Sequence, residues 1–141
     1  MKRLRIVIDT NELISAAVRP QGSQALVVNL VAFHAVELFV SEAVLAEYRE
    51  VFSRPKFARL PAAEVAALLA LIESEAIMVT PTTRLELSKH DSDNRFYECA
   101  DAAQADYIVT GNARHFTKSY KTTRIVNGRE LLELMAGREE K

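Results

Sequence analysis

One cysteine, Cys99, is the only thiol in the chain, so no internal disulfide can staple the fold. It lies among Phe96, Ala100 and Ala103 on a predicted buried helix face, where it reads as a small core residue rather than a nucleophile or metal ligand. Excess charge of either sign is also absent. With 18 Lys and Arg against 19 Asp and Glu, the net charge of −1 excludes the broadly basic surface of an indiscriminate nucleic-acid binder. It leaves room for a local basic patch beside an acidic pocket. No apolar run is long enough to cross a bilayer. The run after Met1-Lys2-Arg3 is cut off by Asp9 before a signal-peptide core can form, so the chain reads as cytoplasmic. There is no internal repeat and no low-complexity tract.

What is present is ordinary for a folded domain: 49% apolar and 26% charged residues in a 141-residue chain. That length suits one core burying roughly two-thirds of the unfolded surface. The expected domain spans residues 1–136, with 137–141 as a solvated tail. Apolar blocks of strand length recur at Leu4–Ile8, Glu37–Val40, Ala76–Thr80, Tyr107–Thr110 and Arg124–Val126. Between them lie segments of helical period: Ser23–His34, Ser41–Phe52, Ala62–Glu75, Asp93–Gln104 and Asn127–Met135. Strands that are continuously apolar and alternate with helices predict an α/β fold with a parallel sheet covered on both faces. Ser41 is placed to cap one helix, and Asn127 with Glu130 forms a capping-box pattern at another.

The most informative residue is Asp9, which closes the first strand and opens Asp9-Thr10-Asn11-Glu12-Leu13. Crevices outside the carboxyl ends of strands are where open α/β sheets bind ligands. Asp9 also fits a helix N-cap, with Glu12 completing a capping box, and both readings stand. In a right-handed strand–helix–strand unit, strand ends and helix starts share one rim. Glu47, in the helix after the second strand, Asp93, in the first turn of the helix before the fourth, and Asn112, just past that strand, all map to Asp9's rim. Glu47 lies on the flank of an apolar stripe, where an unpaired carboxylate is costly unless a cation or water reaches it. Asp93 falls on the side of Phe96 and Ala100, while Glu98 and Asp101 point outward. Gly111 allows a sharp turn, and Asn112 can cap Ala113–Phe116. His115 has no Cys or second His at ligand spacing, so a surface or supporting role outweighs zinc. Asp, Glu, Asp and Asn form an oxygen set that selects Mg²⁺ or Mn²⁺.

Four motifs in order resemble the PIN-domain nucleases, and more narrowly the branch of prokaryotic toxin–antitoxin toxins. They are Asp9-Thr10-Asn11; Leu45-Ala46-Glu47-Tyr48 with Ser53-Arg54-Pro55-Lys56-Phe57; Asp93-Asn94-Arg95-Phe96; and Ala105-Asp106 through Thr110-Gly111-Asn112. The resemblance covers nearly the whole chain. It implies a single α/β/α sandwich with a central parallel sheet of about five strands. It also implies an acid cluster holding Mg²⁺ or Mn²⁺ for cleavage of RNA. Carried over, Asp9, Glu47 and Asp93 are the metal-binding acids. Asn112 stands where the family often has Asp, a departure that weakens a second metal site. A small antitoxin protein and further copies of the chain, in a dimer or higher oligomer, are the partners so implied.

Around that set, Thr10, Asn11 and Thr110 can orient the acids or the scissile phosphate, although capping and turn formation explain each nearly as well. Arg54 and Lys56, with Arg59 and Phe57, can contact an RNA backbone and stack on a base, or simply form a solvated loop. A phosphatase using Asp9 as nucleophile is disfavoured because the DxDx[TV] pattern fails at Asn11. A PIN-like interaction module binding metal, RNA or an antitoxin without turnover remains the alternative.

Overall fold

A computed structural model describes residues 2–112 and 114–139. Its sheet is built from β1 (Leu4–Ile8), β2 (Val36–Val40), β3 (Ile77–Met78), β4 (Tyr107–Val109) and β5 (Arg124–Val126). All pairs are parallel, in the order β3-β2-β1-β4-β5. The helices are α1 (Thr10–Val18), α2 (Ser23–Ala32), α3 (Glu42–Phe52), α4 (Ala62–Glu75), α5 (Asp91–Ala103) and α6 (Gly128–Glu139), with a 3₁₀ turn at Pro55–Phe57. Ile6, Val7 and Ile8 are consecutive and all buried, although neighbours on a strand face opposite sides. The sheet is therefore covered on both faces, as the continuous apolar runs predict. Among the described residues no helix is long and apolar enough to cross a membrane.

The strand order matters for the site. From β1 the chain moves outward to β2 and β3, then returns past β1 to form β4. The crevice beyond the ends of β1 and β4 is thus the topological switch point. Asp9 follows β1 and Thr110 follows β4, so both stand at its mouth. Tyr48, fully buried in α3, donates its hydroxyl to the Ile8 carbonyl and ties α3 to the end of β1.

Several elements differ from expectation. The third strand keeps only two residues of Ala76–Thr80, because it is the sheet edge; Ile77 and Met78 are 42% and 50% exposed. The last helix runs through Gly137 to Glu139, beyond the Met135 expected from periodicity. Glu98 does not point outward. The segment preceding α5 lies over that flank, where Glu98 Oε2 accepts from Leu85 N at 2.9 Å and Oε1 lies 3.1 Å from Arg95 Nε.

Candidate active site

Asp9 occupies the N-cap position of α1 but makes no side-chain cap bond there. Its amide is taken by the Val109 carbonyl, which joins the ends of β1 and β4. Its side chain turns instead to Thr110, whose Oγ1 donates to Asp9 Oδ2 at 2.8 Å and accepts from Asn112 N at 3.0 Å. The capping-box reading of Asp9 and Glu12 is therefore corrected: the partner that box needs, the Asp9 amide, already belongs to the sheet. Asp9 is 3% exposed. Burial pushes its carboxyl up to about 6, the Thr110 hydroxyl opposes that, and the charges of Asp93 and Glu47 push the same way.

Glu47 reaches the rim from α3, whose start is fixed by Ser41 Oγ accepting from Val44 N at 3.1 Å. Its Oε2 accepts from the Thr10 hydroxyl. Burial raises its carboxyl, with Asp93 adding to the rise, while Thr10, Ser92 and Arg54 favour the charged form. Asp93 arrives on the first turn of α5, 6% exposed. Asn94 anchors that turn. Its Oδ1 accepts from Leu87 N and Ser88 N at 2.9 and 2.8 Å, and its Nδ2 donates to Ser88 O at 3.1 Å. Asp93 Oδ2 lies 3.0 Å from His115 Nδ1, and the His90 ring stacks on His115 with centroids 3.9 Å apart. Burial again raises Asp93, against the pull of His115, His90 and Ser88.

The structure thus brings Asp9, Glu47 and Asp93 within electrostatic reach of one another at the switch point, with Thr10 and Thr110 bonded directly to them. Asn11 is exposed on the first turn of α1. Asn112 is half-buried beside Thr110; its carbonyl accepts from His115 N and Phe116 N, while Ala113, part of the segment it was expected to cap, lies outside the described residues. Arg54 pairs with Glu50 at 2.8 Å and is close enough to Glu47 to favour its charge. Lys56 and Arg59 are exposed. The half-buried Phe57 ring packs on Phe52, with centroids 6.5 Å apart, and Lys56 Nζ lies 5.0 Å from its centroid.

Sequence reasoning missed three groups. His90 and His115 are 25 positions apart in the chain (115 − 90 = 25) and carry no shared motif, so only the fold reveals their stack against Asp93. Glu12 is 3% exposed, and its Oε2 has no hydrogen-bond partner. Burial and the charge of Asp9 push its carboxyl up to about 7. The signal for it was available: a capping box requires a free amide, and a strand-terminal Asp has none to offer. Gly111 is likewise reinterpreted, because its φ is not positive and no special turn demands glycine. A Cβ there would meet Glu12 Oε1 at 3.2 Å.

Among the described residues no three His, Cys, Asp or Glu side chains stand close enough together to enclose an ion. Each carboxylate is turned to its own partner, Thr110, Thr10 or His115. The donor chemistry still fits a hard divalent cation: buried carboxylates that repel one another, with an orphaned carboxylate oxygen on Glu12 beside them.

An uncharacterized protein of Methanocaldococcus jannaschii is 26% identical over 112 residues, spanning 78% of this chain and 72% of its own. In fold, the chain resembles the crystal structure of VapBC2 from Rickettsia felis bound to a DNA fragment from their promoter. The TM-score is 0.61 at 18% identity, over 88% of this chain and 98% of that one. Residues 5–114 match the PIN domain, and the chain belongs to that family, the one whose nuclease motifs its sequence resembles.

Proposed function

We propose that this protein is a metal-dependent endoribonuclease that hydrolyses phosphodiester bonds of single-stranded or structured RNA. The observation that carries this reading is the convergence of Asp9, Glu47 and Asp93, from three separate elements, on the sheet's switch point. Buried acids that raise one another's proton affinity are costly to a fold, and a site that binds a cation is the setting in which that cost has a use.

Asp9, Glu47 and Asp93 would hold Mg²⁺ or Mn²⁺. When bound, such a cation supplies an activated water and shields the charge growing on the phosphoryl oxygens. The chain's own part is positioning. Thr110 orients Asp9, Thr10 orients Glu47, and His115 with Ser88 orients Asp93. Arg54 and Lys56 lie at the end of α3, beyond Glu47, where they can meet backbone phosphates as a strand enters. Asn11 presents an amide at the same rim.

Family membership supports nuclease chemistry. The fold likeness to VapBC2 supports a toxin role, with a small antitoxin protein as partner and a dimer or higher oligomer as the working form, in the cytoplasm where RNA substrates are found. Asn112 favours a second reading, a PIN-like module that binds metal, RNA or an antitoxin without turnover, since it withholds one negative oxygen from the site. One experiment separates the two: purified protein with single-stranded RNA and Mn²⁺. Cleavage that stops in EDTA and in Asp9→Asn supports the nuclease; retained RNA binding with no cleavage at any metal concentration supports the module.

A further inference from the structure

Glu12 is an acid that the three-carboxylate site does not use. It projects from the first turn of α1 toward Gly111, just past β4, and Gly128, at the start of α6, neither of which has a side chain. A Cβ on Gly111 would stand 3.2 Å from its Oε1, and a Cβ on Gly128 would stand 3.1 Å from its Oε2. Neither neighbouring helix start uses this carboxylate. The start of α1 does not need it, because the Asp9 amide is bonded to Val109. The start of α6 does not need it either: Asn127 Oδ1 accepts from Glu130 N at 2.8 Å, and Glu130 Oε1 accepts from Asn127 N at 2.9 Å. Among the described residues no Lys, Arg or His pairs with it. A buried carboxylate oxygen with no donor and no counter-charge, as Glu12 Oε2 is, is unfavourable unless a proton or a cation joins it.

We propose that Glu12 is a further carboxylate of the acid site and that, together with Asp9, it holds a second divalent cation on the Gly111 side of the cluster. The proposal rests on the metal-site reading given above and adds to it a ligand outside the four motifs. It also accounts for Asn112. A site that carries Glu12 has a negative oxygen to offer a second ion without an acid at position 112. Thr110, bonded to Asp9, and Gly111, beside Glu12, border a cavity of about 380 Å³ that Asn127 and Glu130 also line. Gly111 is on that cavity's wall and, having no side chain, leaves Glu12 Oε1 uncrowded.

The test is the stoichiometry of Mn²⁺ binding, read by isothermal titration on the full chain near neutral pH. Wild type is expected to bind two ions, and Glu12→Gln to keep the first within about twofold while weakening the second tenfold or more. Asp9→Asn should weaken both. If Glu12→Gln binds as many ions as wild type at unchanged affinity, or if wild type binds one ion only, the assignment of Glu12 is overturned while the three-acid site stands. If wild type binds no Mn²⁺, the metal-site reading fails along with it. Should Glu12→Gln lose its cooperative melt, Glu12→Asp decides. That variant keeps the charge but withdraws it by one methylene, and it should weaken the second ion selectively; unchanged affinity for both ions overturns the proposal.

Discussion

Thr110 shows how much of this site depends on single atoms. Its Oγ1 gives its proton to Asp9 and accepts the amide of Asn112, so one hydroxyl holds both an acid and the turn after β4. Removing it in Thr110→Val takes away the hydrogen bond that favours ionised Asp9, and the Asp9 carboxyl should rise further above about 6. A hydrogen bond to a charged group contributes roughly 1.5–3 kcal/mol, so the acidic limb of the cleavage profile should move up by about 1–2 pH units. Thr110→Ser should restore it. A uniform loss of rate at every pH would assign Thr110 to turn formation alone. At Asn112 the change runs the other way. Asn112→Asp adds a negative oxygen near the same carboxylates and should speed cleavage at limiting Mn²⁺, with the gain fading at saturation. The gain should vanish in an Asp9→Asn background, because both act through one cluster. An unchanged metal dependence would make Asn112 a turn residue only.

Among the elements, those with strong local chemistry were legible. Arg124–Val126 and Ala62–Glu75 fall where period and composition put them, and Ser41 and the Asn127–Glu130 pair cap their helices as the spacing indicates. Ser41→Ala should cost about 1 kcal/mol in a denaturant melt, because the first turn of the helix carrying Glu47 loses its side-chain cap. A loss under a few tenths would mean that water replaces the cap. The elements misread were those whose character comes from partners distant in sequence. Glu98 looks outward on a helical wheel, yet the segment before α5 covers it. The edge strand shortens because a neighbour is present on one side only. The site divides in the same way. The three acids follow from strand ends and helix starts, which topology gathers at one rim. His90, His115 and Glu12 were hidden because what matters about them is a contact with another element.

At the scale of the whole molecule, the site should set how stability depends on pH. Burial raises the carboxyls of Asp9, Glu12, Glu47 and Asp93 in the folded state, to about 6 for Asp9 from 3.8 and about 7 for Glu12 from 4.5. The folded protein therefore holds more protons than the unfolded chain across that window. A group raised in this sense contributes stability below its unfolded value and loses it as pH climbs through its folded value. The metal-free protein should thus be more stable near pH 5 than near pH 8, with Asp9 alone accounting for roughly 1–1.5 kcal/mol over that interval. For a chain of this size that is roughly 3–5 °C in Tm. Asp9→Asn, which cannot ionise, should flatten the profile, and the difference from wild type isolates this group from all others. Mn²⁺ binds the folded state and competes with protons for the same oxygens, so it should restore Tm near pH 8 and have little effect near pH 5. Calorimetric melts of wild type and Asp9→Asn across that range, in EDTA and in Mn²⁺, measure both effects. A metal-free Tm that rises steadily from pH 5 to pH 8 in wild type would mean that the acids are ionised and compensated within the fold. The cluster would then be a structural network, with no energetic reason to recruit a cation.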